Sequence, residues 1–477
     1  MPANTNLKRT KIVATLGPAT SSEEMIRDLA QHGVNIFRIN FSHGNDEEHV
    51  ATIAAVKKVR AELDLPLAIL QDLQGPKIRL GTFSKGPCEI STGSVFALTT
   101  RTVDGNAELA SIDYSALTSE VRPGELIFID DGLIRLKVRA IQGNTVLTDV
   151  LKGGILSDHK GVNFPQSDLH VPSITDKDKH DLVTGLQADV DYVALSFVRT
   201  ADNVRELRSL MEEHGAAVPI IVKVEKWQAV QNIESILAVA NGIMVARGDL
   251  GVEMPIEEVP IIQKHLISLC NRMGKPVITA TQMLNSMVDN PSPTRAEVTD
   301  VANAIFDGTD AVMLSNETAV GKFPLETVDM MGRIIETTEQ SDLYWSAIES
   351  RGTACAADTS DAIAFAAVHT AQTIGATLIV SATESGRTAI LISRYRPRIP
   401  ILALTPSALV QRRLALYFGI VPIVVQQFES VDHMLRTVVA TTYMSRLARH
   451  GDKIVITAGS HATAAGSTNL IKVEEMD

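Results

Sequence analysis

Lys223 and Glu225 stand two residues apart inside the run PIIVKVEKWQ (219–228), where Ile220, Ile221, Val222 and Val224 have the β-branched character of a buried strand. On a strand the two charges share one face, about 6.6 Å apart along the chain, while Val222 and Val224 fill the other. Such a strand either has an ordinary polar side or carries its charges into a site. Other apolar runs turn polar in the same way. In NIFRINF (35–41) and the residue after it, Arg38, Asn40 and Ser42 alternate with Phe37, Ile39 and Phe41. GIMVARG (242–248) leads into Arg247, Gly248 and Asp249, PVITATQ (276–282) offers Thr279 and Thr281, and AVMLSNE (311–317) offers Ser315 and Glu317. Unpaired, such charges would each cost several kcal/mol to bury. Their convergence predicts mutual pairing around a bound metal and an anion.

The elements that must position them are short apolar runs alternating with amphipathic, capped helical segments. KIVATLG (11–17), LAILQDL (67–73) and YVALSFV (192–198) join the four runs above and PIIVKVE (219–225) to make eight. Eight strand–helix alternations predict a (β/α)₈ barrel, with strand C-terminal ends facing the active site. The third and fourth runs are separated by ELIFIDDGLIRLKVRA, NTVLTDVLKG and turn signals, which predict an inserted small β-barrel lid at that face. After about residue 345 the rhythm restarts with strands at 377–383, 399–405, 420–426 and 453–459, an open α/β domain. The expected division is a catalytic barrel over 1–73 and 171–345, a lid over 74–170 and a C-terminal domain over 346–477.

At 477 residues, 45% hydrophobic and 21% charged, the chain reads as a folded protein of two to four domains. Its net charge of −12 argues against nucleic acid and anionic membrane as partners, so phosphates must meet locally gathered cations. Cys88, Cys270 and Cys355 have no metal or disulfide spacing, which suits a reducing cytoplasm. MPANTNLKRTK has no apolar core of a signal peptide, and the apolar window 361–383 is interrupted by His369, Gln372 and Gly375.

ATLGPAT (14–20), FRINFSHG (37–44), QGPKIR (74–79), KGVNFP (160–165), IIVKVEKWQAV (220–230), MVARGDLGVEMP (244–255), ATQMLNSM (280–287) and MLSNETAVGKFP (313–324) together resemble pyruvate kinase over nearly the whole chain. The resemblance implies phosphoryl transfer from phosphoenolpyruvate to ADP, giving pyruvate and ATP, by a cytoplasmic homotetramer with a regulatory C-terminal domain. It implies Mg²⁺ (or Mn²⁺) on Glu225 and Asp249, oxygen donors of the kind that ion takes. Lys223 is implied as the stabiliser of the phosphoryl group in flight, and Arg38 as its phosphate ligand, with Arg79 adding charge nearby. Backbone groups of Gly248 and Asp249 are implied to hold the substrate carboxylate, with Thr281 in the proton relay and Ser315 assisting. Asn40, His43 and Lys160 match positions near the nucleotide phosphates.

In the tail, SATESGRTA (381–389) ends a strand and opens a helix; Thr383, Glu384, Ser385, Gly386, Arg387 and Thr388 form a candidate phosphate nest, and the resemblance implies that it takes a phosphorylated sugar or nucleotide effector. One stretch departs from the best-known family pattern. Many members hold K⁺ on residues matching Asn40, Ser42 and Asp72 with a following threonine, and carry glutamate in the next motif. Here Leu73 and Lys77 occupy those two positions, so the tethered Lys77 ammonium is expected to replace the free cation and K⁺ is expected not to be required. Two other readings compete: a Mg²⁺-dependent carbon–carbon lyase of pyruvate-like acids, and a non-catalytic phosphosugar sensor.

Overall fold

The computed structural model describes residues 8–165, 167, 169–352, 358–459 and 468–476, so Cys355 lies outside the described residues. Eight parallel strands close a barrel: β1 (Lys11–Leu16), β2 (Ile36–Asn40), β3 (Ala68–Asp72), β4 (Tyr192–Leu195), β5 (Ile220–Val224), β6 (Gly242–Ala246), β7 (Val277–Ala280) and β8 (Ala311–Leu314). Each strand pairs with its neighbours in sequence, and β1 pairs with β8.

The period-two alternation of a strand decides what enters the barrel. Val13, Ile36, Leu70, Ala194, Ile221 and Met244 pack together inside it. Ile12, Phe37, Ile69, Val193, Val222 and Val245 face outward into the larger core shared with the helices. Two residues beyond each inner position, the same parity brings Thr15, Arg38, Asp72, Ser196 and Lys223 to the inside of the mouth. The surrounding helices start on side-chain caps: Asn45, Thr175 and Thr294 each complete a capping box with the residue three positions on.

Between β3 and β4 the chain forms a six-stranded sheet and a separate two-stranded pair. Its own core gathers Phe96, Leu98, Ile127, Leu136, Val146 and Phe164. The DDG signal is a tight turn, with φ of 55° at Asp130, 51° at Asp131 and 82° at Gly132.

The tail sheet comprises β9 (Leu378–Ala382), β10 (Ile401–Thr405), β11 (Ile420–Val424), β12 (Lys453–Ala458) and β13 (Leu470–Glu475), in the order β11-β10-β9-β12-β13. The antiparallel edge strand β13 is one element the sequence reading did not foresee. LIKVEE is half-exposed throughout and shows no buried apolar run.

The tail docks under the N-terminal end of the barrel. Leu416 joins the interior cluster, Lys11 Nζ donates to the Ile420 carbonyl at 2.7 Å, and Arg396 pairs with Asp310 at 2.9 Å. Among the described residues no helix is long and apolar enough to cross a membrane.

Candidate active site

At the C-terminal mouth of the barrel the inward-facing charges meet. Lys223 Nζ lies 2.9 Å from Glu225 Oε1 and 3.4 Å from Asp72 Oδ1, and donates to Ser196 Oγ at 2.8 Å. Arg38 Nε donates to Asp72 Oδ2 at 2.7 Å, and its Nη1 donates to Thr15 Oγ1 at 3.0 Å. Asp72 and Glu225 are each 1% exposed, so neither carboxylate is screened by bulk water.

The electrostatics follow from that burial. Desolvation alone would push Asp72 up, yet Lys223 and Arg38 together hold it below the ordinary carboxylate value. Burial works to lower Lys223, but Asp72 and Glu225 outweigh it and keep the ammonium charged above its usual range. Glu225 moves the other way: burial raises it, Asp249 adds to the rise, and Lys223 only partly offsets both. Two carboxylates repelling one another, Glu225 buried and Asp249 half-buried, leave a deficit of positive charge on that side.

That deficit fits a hard divalent cation. Mg²⁺ takes oxygen donors and is commonly held by one or two carboxylates, with waters and substrate phosphates completing its shell. Among the described residues no group of three or more His, Cys, Asp or Glu side chains could hold a metal, so a cation here would take the carboxylate pair. Glu225 is already fixed in place, because its Oε2 accepts from the Phe197 backbone N–H at 2.8 Å.

Beside this cluster the turn after β7 is held in an unusual conformation. Thr281 has φ 69° and Gln282 φ 55°, a left-handed region that a β-branched threonine seldom enters. Arg247 holds it, donating Nη2 to the Thr281 carbonyl at 2.7 Å and Nε to the Ala280 carbonyl at 3.2 Å. Thr281 Oγ1 accepts from Gly248 N–H at 2.8 Å, at the start of the helix Arg247–Glu253 that carries Asp249. This Gly248 N–H is thus engaged within the protein, where the sequence reading had it free for a carboxylate. Ser315 follows β8, and its N–H donates to Glu317 Oε2 at 2.7 Å. Glu317, 1% exposed, also accepts from Leu284 N–H at 3.1 Å and so ties the β7 and β8 loops together.

The other expected residues are spread around the mouth. Asn40 lies beside Asp72 in the β2–β3 register, and its Oδ1 accepts from Ser42 N–H at 3.2 Å. His43 is exposed. Arg79 and Lys160 sit in the insertion: Arg79 Nη1 donates to the His159 carbonyl at 3.1 Å, and Lys160 pairs with Asp130 at 2.8 Å. Lys77 lies on the insertion side, where a Cβ on Gly161 would stand 2.8 Å from its Cε. Leu73 has the outward parity and is buried in the outer core, away from the face of Asp72.

Sequence reasoning passed over Ser196, Thr15 and the Phe197 N–H, which position Lys223, Arg38 and Glu225. A serine closing the apolar run YVALS was the available signal for the first. Thr15 and a backbone donor leave no comparable trace.

In the tail loop Gly386, with φ 83°, opens the helix Arg387–Arg394, and its N–H donates to Thr383 Oγ1 at 3.0 Å. Glu384 accepts from Gln427 at 2.8 Å, and Thr388 meets Thr468 at 2.5 Å. Ser385 and Arg387 are exposed; Arg387 pairs loosely with Asp358 at 3.3 Å.

Comparison with known proteins bears on this geometry. The family described as pyruvate kinase, barrel domain, matches residues 7–328, and pyruvate kinase, alpha/beta domain, matches residues 361–474. The chain is 48% identical over 473 residues to pyruvate kinase 2 of Synechocystis sp., covering 98% of this chain and 79% of that one. It is 45% identical over 470 residues to a pyruvate kinase of Sporosarcina psychrophila, covering 98% and 80%. With a pyruvate kinase of Clostridium acetobutylicum it shares 43% identity over 473 residues, 99% of this chain and all of that one.

Proposed function

Taking as premise that the chain belongs to the pyruvate kinase family, a family of phosphotransferases, we propose how its own residues divide the reaction. The phosphoryl group of phosphoenolpyruvate passes to ADP, forming ATP; the enolpyruvate left behind takes up a proton to become pyruvate. The observation that carries the assignment is the Lys223–Glu225–Asp72–Arg38 cluster at the barrel mouth.

Phosphoryl transfer asks for positioned positive charge more than for a covalent partner. Lys223, kept charged by Asp72 and Glu225, faces the transferring group and stabilises the charge spread over its oxygens. Arg38, braced by Asp72 and Thr15, binds the same phosphate from the neighbouring strand. Glu225 and Asp249 hold Mg²⁺ or Mn²⁺, which supplies charge neutralisation of the phosphate oxygens when bound. The substrate carboxylate sits at the start of helix Arg247–Glu253, against the backbone of Asp249 and beside Gly248, whose own N–H is held by Thr281. Thr281 stands beside it and passes a proton toward enolpyruvate, with Ser315 flanking. Asn40, His43, Arg79 and Lys160 meet the nucleotide phosphates, the last two carried by the insertion as it closes over the mouth.

Turnover without K⁺ is part of the same reading. Asp72 already faces two cations, the hydroxyl that would follow it is replaced by buried Leu73, and Lys77, beside Gly161, brings a tethered ammonium in place of the free cation. The tail loop 383–388, with Glu384, Ser385 and Arg387 exposed, binds a phosphorylated sugar or nucleotide activator, the enzyme works as a homotetramer, and its place is the cytoplasm.

A coupled assay with phosphoenolpyruvate and ADP, run across a panel of sugar phosphates and nucleotides, tests the scheme. ATP formation stimulated by one of them is expected. Carbon–carbon cleavage in place of ATP formation, or no turnover at all, would overturn it in favour of a lyase or a sensor.

A further inference from the structure

A cavity of about 730 Å³ opens where the tail meets the barrel. It lies at the barrel's N-terminal side, because its barrel wall is the C-terminal end of helix Val259–Met273, just before β7 begins. Its lining is unlike the rest of a chain whose net charge is −12. Arg272, Arg351, Arg394, Arg396 and Arg398 border it, against Glu349 as the one carboxylate among the described residues.

Three of these arginines are spoken for: Arg394 by Asp361, Arg396 by Asp310 and Arg398 by Asp342. Arg351 rests on the carbonyls of Phe306 and Asp307, and neither it nor Arg272 forms an ion pair among the described residues. Arg396 is 6% exposed and has φ 49°, and its Nε and Nη1 are without hydrogen-bond partners. Arg272 and Arg351 are exposed at the rim of the cavity, so an anion that enters it meets two cations that no carboxylate pairs among the described residues.

The remaining wall is aromatic. Phe365 meets Tyr395 edge to face at 5.4 Å and His369 at 4.4 Å, offering a surface for a flat ring. The volume lies in the range of cofactor and nucleotide pockets and far exceeds what a lone phosphate fills.

We propose that this cavity binds a small anionic metabolite carrying a planar ring, of the class and size of a nucleoside monophosphate. Arg272 and Arg351 take the anionic group, and Phe365 with Tyr395 takes the ring. Because the walls come from the barrel, the connecting helix Asp342–Ser350 and the tail, the ligand ties the two domains together. The site is separate from the tail loop 383–388. That loop stands at the N-terminal end of helix Arg387–Arg394 and the cavity at its C-terminal end, about 12 Å away along the axis.

Calorimetric titration of the full chain with adenosine 5′-monophosphate, in the presence of saturating ADP and Mg²⁺, tests the proposal. Saturable binding is expected, with adenosine alone and inorganic phosphate alone each at least ~10-fold weaker. Arg272→Glu and Phe365→Ala should each weaken binding at least ~10-fold with the thermal midpoint retained, while Arg387→Ala leaves it unchanged. The proposal fails if no saturable binding occurs, or if phosphate binds as tightly as the nucleotide. It fails equally if Arg387→Ala abolishes binding while Arg272→Glu does not, which would place the ligand on the tail loop.

Discussion

Two lysines at opposite ends of one barrel, one buried and one nearly so, meet opposite fates. Lys223, at the C-terminal mouth, lies between Asp72 and Glu225, and their attraction overcomes burial to keep it charged. Lys11, at the N-terminal end of β1, is buried with the Ile420 carbonyl as its hydrogen-bond acceptor at 2.7 Å. There burial dominates, and the ammonium is pushed down to about 8, with Glu339 and Asp310 only partly opposing. The same side chain is a fixed charge where paired carboxylates surround it, and a docking strut where a carbonyl does. The mouth gathers charge for chemistry; the base joins the tail to the barrel.

The contrast breaks most visibly at the mouth. Lys223→Met keeps the aliphatic stem and deletes the charge, so kcat should fall at least ~10²–10³-fold, the range seen when one electrostatic donor is lost. Binding of phosphoenolpyruvate should change less, since Arg38, Glu225 and Asp249 remain. Near-normal turnover in that variant would reject Lys223 as the stabiliser. Steady-state kinetics beside a thermal melt separates chemistry from folding.

A smaller effect is expected at the tail loop. Arg387 is exposed and its one ion pair among the described residues is loose, so it is available to a phosphate. Losing a charge-assisted contact costs about 1.5–3 kcal/mol. Arg387→Ala should therefore weaken a phosphorylated activator roughly ten- to a hundredfold, by the same estimate, with turnover at saturating phosphoenolpyruvate unchanged. Activation curves for wild type and variant decide this; identical curves would move the activator elsewhere.

At the base of the barrel the effect appears in stability alone. Lys11 titrates near 8 in the folded chain and near its ordinary 10.5 when unfolded. Between those values the unfolded chain binds the extra proton, so stability rises with pH. The rise should be on the order of 1–3 kcal/mol. Lys11→Met should flatten it without touching turnover. Unfolding midpoints of both proteins from pH 7.5 to 10.5 measure the difference, and parallel curves would show that Lys11 stays charged.

The smallest expected effect is none. Replacing K⁺ by tetramethylammonium at equal ionic strength should leave wild-type turnover unchanged, whereas Lys77→Glu, alone or with Leu73→Thr, should gain K⁺ dependence. A large loss of wild-type activity without K⁺ would end that reading.

By itself the sequence determined the strands, their barrel and the identity of the charged group at its mouth. Period-two alternation in runs such as PIIVKVE and NIFRINF is a local property, and it dictates which side chains face inward once the sheet closes. That is why Lys223, Glu225 and Arg38 were legible, and why β13, whose residues are half-exposed, was not. Only the tertiary structure decided what each charge is paired with. Asp72 stands between Lys223 and Arg38 because β3 and β5 meet across the mouth, at a sequence separation no local pattern encodes. The left-handed turn at Thr281, its hold by Arg247, and the engagement of Gly248 N–H are likewise set by neighbours outside the motif. The arginine-lined cavity is the extreme case. Arg272, Arg351 and Phe365 belong to three segments with no shared signature, and their common cavity exists only because the tail packs under the barrel. Burial and pairing are collective properties of the fold, and they turn a lysine into a fixed charge at one end and a strut that gives up its proton more readily at the other.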